Sequence, residues 1–467
     1  MRRADVAVIG AGPAGMAAAI PASESGAQVV VLDEYRRMGG QFFKRAASDF
    51  QLQPSQLSAE HAAGERLRTQ VADKGVEVLT DTLVWGVFDD KVLMLYGDGK
   101  SSALQARAIV IATGAYDRPV AFPGWTLPGV MTAGGAQTIA RTQWVKPGRR
   151  VVIAGAGPFA MPVAQQVVRS GAEIVAIVEA TRPFEWAAHA GALWGQWPRF
   201  KEAFNYWRSL RGVPVIFGHK IVRAIGRDSV EAVEIAAVDR GWHSIEGSTR
   251  RLEADALALA YGFLPNIELA DACGCELRWD GFGAAWFVKC DAAMATSVSG
   301  VFAAGEITGI AGSAVAMAEG RLAGISAAEH VGTIDAHEAA RKRRAPADER
   351  THLMRFADAL NELFGPRPGL REGMEDATTV CRCEEVTAGD IRSCVRAGCA
   401  SVKGIKDWTR AGMGPCQGRV CRSLVAQLVS QETGMALESL QRPRVRPPFK
   451  PVPFDAIAQS EPAEISG

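Results

Sequence analysis

Histidine is scarce, at 7 of 467 residues, and cysteine is absent from the first 272. With so few histidines, no grouping of His, Ser and acid stands out as a hydrolytic set, and no residue is assigned a catalytic role. The missing early cysteines disfavour a disulfide reductase, which needs a redox pair; Cys273-x-Cys275 falls in a turn late in the chain's second domain. Charge of one sign is also lacking. Lys and Arg number 52 against 51 Asp and Glu, a net +1, so no field points to nucleic acid as partner. Nor does any apolar run approach the roughly 20 residues of a membrane span. The runs at Val6, Val29, Ile109 and Val151 have strand length. Met1 to Asp5 lead directly into a strand rather than a signal-peptide pattern, so a cytoplasmic setting is expected.

What is present is organised by glycine turns. Val6 to Ile9 reads as a buried strand, followed by a Gly-rich turn, an Ala-rich helix and a strand at Val29 to Leu32. The pattern repeats with a strand at Val151 to Ile153, a turn at Gly155 to Ala160, a helix, and a strand at Ile174 to Val178. Short strands at Val76 to Leu79, Leu83 to Phe88, Val92 to Tyr96 and Ala108 to Ala112 complete the first unit. Asp335 to Arg371 is highly charged with helical periodicity, and Arg442 to Phe454 is rich in proline and cations, which favours an extended arm against another surface.

Gly10, Gly12, Pro13, Ala14 and Gly15 fit G-x-G-x-x-G, a turn that brings backbone amides to a pyrophosphate at a helix N-terminus. Asp33 follows 23 residues after Gly10, placed to accept from an adenosine ribose, with Glu34 the adjacent alternative. Gly39-Gly40-Gln41, Ala112-Thr113-Gly114 and Val301 to Glu306 then occur in the order used by flavoproteins with two dinucleotide-binding domains. The chain resembles that family over about residues 1 to 330. The resemblance implies FAD, with Gly305 and Glu306 meeting the pyrophosphate and ribityl chain and Gly312-Ser313-Ala314 opening a helix near the ring. The family usually has Asp at position 306, and Pro21 should kink the first helix.

Gly155, Gly157 and Ala160 repeat the turn and Glu179 repeats the acid, which by resemblance makes an NAD(P)-type site. The acid favours NAD; Arg182 keeps NADP open, and another adenine nucleotide remains an alternative. The segment Phe184 to Leu210 carries Trp186, Trp194, Trp197, Tyr206 and Trp207. It reads either as an amphipathic helix packed into its own domain or as a cover over the adenosine pocket or a partner-docking surface.

Six of the nine cysteines crowd between 381 and 421. Cys381-x-Cys383 and Cys416-x4-Cys421 form two thiolate arms, and four thiolates suit structural zinc as well as a 2Fe-2S cluster. The flanks, Val380 to Thr387 and Gly412 to Cys421, resemble the bacterioferritin-associated-ferredoxin-like domain, which implies 2Fe-2S. Cys394 and Cys399 are a competing pair at the same spacing, read as helix-packing thiols.

The fold class is therefore α/β, with two Rossmann-like dinucleotide-binding domains of FAD and NAD(P) type followed by a small helical iron-sulfur domain. Expected boundaries are 1–118 with 285–330 for FAD, 119–284 for the second nucleotide, 331–375 for a helical linker, 376–440 for the cluster and 441–467 for the arm. Nearly end to end, the chain resembles one subunit of the hydrogen cyanide synthase, opine oxidase and hydroxyproline dehydrogenase complexes. That resemblance implies a hetero-oligomer in which an amine-oxidising flavoprotein subunit, with room for a small third subunit, dehydrogenates the amine. Electrons would then pass through this chain's cluster and FAD, and the complex could sit at the periphery of the inner membrane. A self-contained NAD(P)H-dependent ferredoxin-type reductase and a non-catalytic scaffold are the competing readings.

Overall fold

Val6 to Ile9 are shielded on both faces, as a parallel strand between helices must be. They end β1 (Arg2–Ile9) in the computed structural model, which describes residues 1–46, 59–189, 204–206 and 208–459. Helix α1 (Pro13–Glu24) and β2 (Val29–Leu32) follow, with Val6 opposite Val29 and Ile9 opposite Leu32. Pro21 lies in the last turn of α1, so the helix runs on to Glu24 despite the missing amide. After α2 (Ala59–Asp73), β3 (Glu77–Leu79) extends the parallel part. The antiparallel β4 (Thr82–Phe88), β5 (Val92–Gly97) and β6 (Lys100–Ile111) then bring the chain back beside β1.

From there β7 (Ala115–Asp117) leads into a second, parallel sheet. It contains β8 (Val130–Thr132), β9 (Arg150–Gly155), β10 (Glu173–Glu179) and β11 (Val215–Phe217), with α3 (Ala133–Thr142) and α4 (Ala160–Arg169) between them. An antiparallel sheet of β12 (His219–Ile225), β13 (Ala232–Ala237) and β14 (Arg250–Glu253) precedes β15 (Ala256–Ala260), which inserts between β8 and β9. The chain returns through β16 (Phe263–Pro265), paired antiparallel with β7, so both connections between the nucleotide domains form one ribbon.

Helix α5 (Glu268–Ala272) and the hairpin β17 (Leu277–Asp280) and β18 (Ala285–Val288) come next, before β19 (Val301–Ala303) re-enters the first sheet with Ala303 opposite Ile111. Ile267, Leu269, Cys275 and Val288 share the core of that first sheet, so the chain has rejoined it by residue 267. Cys273 and Cys275 accordingly lie in and just after the turn that ends α5, packed against the first sheet's core rather than the second's. Burial pushes the Cys273 thiol up to about 12, which suits packing rather than redox exchange.

Two long helices follow, α6 (Ser313–Val331) and α7 (Ala336–Phe364), the latter capped by Asp335. The cysteine region has a short ribbon, β20 (Thr379–Cys381) and β21 (Val386–Thr387), then α8 (Ala388–Arg396), α9 (Val402–Thr409) and α10 (Cys421–Thr433). Thr387 and Asp390 close a reciprocal capping box at α8. This region is not a free-standing module. Val380, Ile391, Leu424 and Leu428 join Trp242, Leu257 and Tyr261 of the second domain in one buried cluster, so apolar burial contributes to its stability.

The arm leading to α11 (Phe454–Ala458) lies on the chain's own surface. Phe449 is buried in the first-sheet core, its N–H donates to the Trp85 carbonyl (2.9 Å), and Arg442 pairs with Asp271 (3.0 Å). Among the described residues no helix is long and apolar enough to cross a membrane.

Candidate functional site

The strands β1, β6 and β19 end side by side, and their parallel order opens a crevice at their carboxyl ends. Every first-site residue singled out in the sequence lies on a segment leaving one of these strands or β2. Gly12 caps α1 with Pro13 at the first helical position, and Ala14 and Gly15 complete the turn. Asp33 is buried at the end of β2. Its Oδ2 accepts from the Ala11 N–H (2.6 Å) and its Oδ1 from the Tyr35 N–H (2.8 Å), so the carboxylate braces the glycine turn. Burial raises its pKa, and the Tyr35 and Ala11 amides oppose that shift.

Gly40, at φ +56, packs on Gly12, while the space beyond Gly12 is open: a Cβ there would meet nothing nearer than Gly40 Cα at 3.8 Å. Gln41 reaches the Tyr35 hydroxyl (3.3 Å), and Glu34 pairs with Lys450 of the arm. The Ala112 carbonyl lies against Gly10, Thr113 donates to the Asn266 carbonyl (2.6 Å), and Gly114 accepts from the Asn266 N–H (2.9 Å).

On the far side, Gly305 (φ +83) abuts Ala14, and Ser313 and Ala314 open α6. The Glu306 Oε1 accepts from the Gly312 N–H (2.8 Å). Burial raises the Glu306 carboxyl to about 7 against the Gly312 and Ala311 amides, so near neutral pH it is poised between two protonation states.

Sequence reasoning missed Glu319. Its Oε2 accepts from the Gly305 N–H (2.9 Å) and the Thr308 hydroxyl (2.7 Å), and its Oε1 from Arg350 Nε of α7 (2.9 Å). A lone carboxylate in an otherwise small and apolar stretch of α6 was the available signal; nothing marked Arg350.

The second turn has the same inner bracing. Glu179 is buried and accepts from the N–H of Gly157 (2.9 Å) and from both the N–H and hydroxyl of Thr181 (2.8 Å each). Burial raises its pKa. Gly155 packs on the Ala260 carbonyl and Ala160 starts α4. Outside, however, the turn is covered. A Cβ on Gly157 would stand 3.2 Å from Phe364 at the end of α7. Trp186 meets Phe364 edge to face at 5.6 Å, and Arg367 ties Glu185 to the same segment at 2.6 Å. Arg182 is turned away to the Val238 carbonyl. Of the aromatic insert, Trp194, Trp197 and Trp207 lie outside the described residues.

The four predicted cysteines neighbour one another in two pairs, Cys381 with Cys421 and Cys383 with Cys416. Gly414 faces Cys383 where any side chain would strike its Cβ at 2.2 Å. Among the described residues, no group of three or more His, Cys, Asp or Glu is drawn together as a metal site. Four thiols are the number a two-iron cluster takes, two per iron. Cys394 is buried in the core and Cys399 lies against Gly404.

Comparison with known proteins places these features. The pattern of the pyridine nucleotide-disulphide oxidoreductase family matches residues 4–329, and that of the sarcosine oxidase A3 domain matches residues 376–461. The A subunit of opine oxidase from Agrobacterium tumefaciens (strain Ach5) is 32% identical over 97% of this chain and 91% of its own length. The HcnB subunit of hydrogen cyanide synthase from Pseudomonas protegens is 31% identical over 97% of each. In structure, the L-proline dehydrogenase from P. horikoshii shares the fold at a TM-score of 0.70, with 23% identity, over 98% of this chain and 80% of that one.

Proposed function

Starting from the fact that the chain belongs to the pyridine nucleotide-disulphide oxidoreductase family, among the relatives of the opine oxidase A subunit, we propose that it is the electron-transfer subunit of a heteromeric amine dehydrogenase. It is a flavin-dependent oxidoreductase by family, and its curated relatives are subunits of larger enzymes. In this reading a partner flavoprotein oxidises an opine, proline derivative or glycine-type amine. This chain carries the electrons onward by way of FAD on the first turn and a 2Fe-2S cluster on Cys381, Cys383, Cys416 and Cys421. FAD supplies coupled two- and one-electron chemistry and the cluster one-electron transfer.

The chain's own residues bind and orient. Gly10 to Gly15 form the pyrophosphate turn, Asp33 braces it, and Glu306 and the start of α6 border the flavin side. The FAD part takes residues 1–118 and 285–330 with α5 and its hairpin added, the second nucleotide fold begins at 119, and the cysteine region spans 376–440.

One observation carries the choice over an NAD(P)H-dependent reductase: the first turn is open at Gly12, whereas Phe364, with Trp186 against its ring, covers the second at Gly157. A reductase would need the second turn free for a nicotinamide dinucleotide. The purified chain should therefore contain FAD and about two iron and two sulfide, and its flavin should resist anaerobic bleaching by NADH. Adding the partner flavoprotein with its amine should bleach it. Rapid bleaching by NADH alone, or zinc in place of iron, would overturn the reading.

A further inference from the structure

Between the flavin domain and the cysteine region lies a buried carboxylate that neither turn uses. Glu268, the first residue of α5, has a side chain only 6% exposed and stands 3.9 Å from Arg419 Nε and 3.8 Å from Arg422 Nη1. Both guanidiniums are held on the loop between Cys416 and Cys421. Arg419 donates to the Cys416 carbonyl (3.3 Å) and Arg422 to the Gln417 carbonyl (3.2 Å). Arg419 also donates to the Phe449 carbonyl of the arm. At these separations the carboxylate acts on the arginines by charge rather than by a hydrogen bond, and Glu268 Oε2 and Arg419 Nε are left without hydrogen-bond partners.

On its other side Glu268 follows β16, the ribbon strand paired with β7, where Tyr116 sits two residues beyond Gly114. Burial, with the Glu268 charge second, pushes the Tyr116 hydroxyl up. The placement is thus Gly114, Tyr116, Glu268, Arg419 and Arg422, then the cysteine loop.

We propose that Glu268 is a positioning residue that sets the electron affinity of the cysteine-loop cofactor by offsetting the two arginines that hold the loop. This rests on the reading of the four cysteines as cluster ligands. A cluster on four thiolates gains negative charge on reduction, so cations nearby favour the reduced form and a carboxylate opposes it. In a buried seam such charges act through little screening.

The test is a redox titration of the whole chain with its cofactors in place, with iron, sulfide and FAD measured alongside. Glu268→Gln should keep iron, sulfide and FAD at wild-type levels and move the iron-sulfur midpoint potential to a more positive value. Arg422→Gln should move it to a more negative value, and the double variant should return it close to wild type. Full iron with an unmoved potential in Glu268→Gln would overturn the proposal, since a residue that merely glues the domains would leave the potential alone. If Glu268→Gln sheds its iron, Arg422→Gln decides alone: a negative shift supports the proposal and no shift overturns it. A wild-type chain lacking iron and sulfide would instead sink the cluster reading itself.

Discussion

The two glycine turns of this chain are built alike from inside and differ from outside. In each, a buried acid at the end of the second strand accepts from amides of the turn, Asp33 from Ala11 and Glu179 from Gly157. Beyond Gly12 there is open space, while beyond Gly157 there is the ring of Phe364. The fingerprint of a dinucleotide fold thus records how the turn is braced, and says nothing of what stands in front of it. What stands against the second turn is a helix end some 200 residues further along the sequence.

The contrast breaks most sharply at Gly12. Its φ is −76°, accessible to any residue, and an added Cβ would meet only an ordinary contact, so Gly12→Val should leave the fold intact. A bound pyrophosphate would lose its space, and FAD affinity should fall by at least about a hundredfold, or ~2.7 kcal/mol. Flavin content together with circular dichroism checks it; a folded variant with full FAD would show that the first turn is not the flavin site.

Phe364→Ala attacks the other turn. It should cost about 2 kcal/mol of stability, less than a fully buried Phe because the ring is only partly buried. It should also give measurable NADH binding by calorimetry where wild type shows none. Equal NADH affinity in both proteins would remove Phe364 as the cover.

A smaller effect should come from Glu306. Its folded pKa of about 7 lies above the usual 4.5, so the folded state holds a proton that the unfolded chain releases between those values. Its contribution to stability is therefore lost as pH rises from about 4.5 to 7 and is flat beyond. Melting of the FAD-free protein at pH 5 and pH 8 should show a drop that Glu306→Gln diminishes. The smallest change belongs to Lys450→Ala, which removes a partly exposed pair with Glu34 and should weaken FAD binding by about 0.5 kcal/mol, vanishing in high salt.

Much of this was legible in sequence because glycine turns, strand-length apolar runs and cysteine spacing are local signals. The β1-turn-α1-β2 unit, the acid at 33, and the capping box at Thr387 and Asp390 each follow from residues close together in the chain. What escaped was set by contacts between distant segments. Arg350 on Glu319, Phe364 on Gly157 and Arg419 beside Glu268 leave no periodic trace, since a charged or aromatic residue on a helix looks the same whether it meets solvent or a site. The arm was read as extended from its prolines, but its own first sheet as the surface it covers could be seen only from Phe449 and Arg442 in place.

Helix α7 was expected to be a linker, and its placement gives it another character. Arg350 neutralises Glu319 behind the first turn and Phe364 covers the second, 14 residues and roughly 21 Å further along one helix. Truncating the chain before Ala336 would therefore not release a minimal flavin domain. It would strand a buried carboxylate at one end and bare a glycine turn at the other, so this helix is structural to both turns.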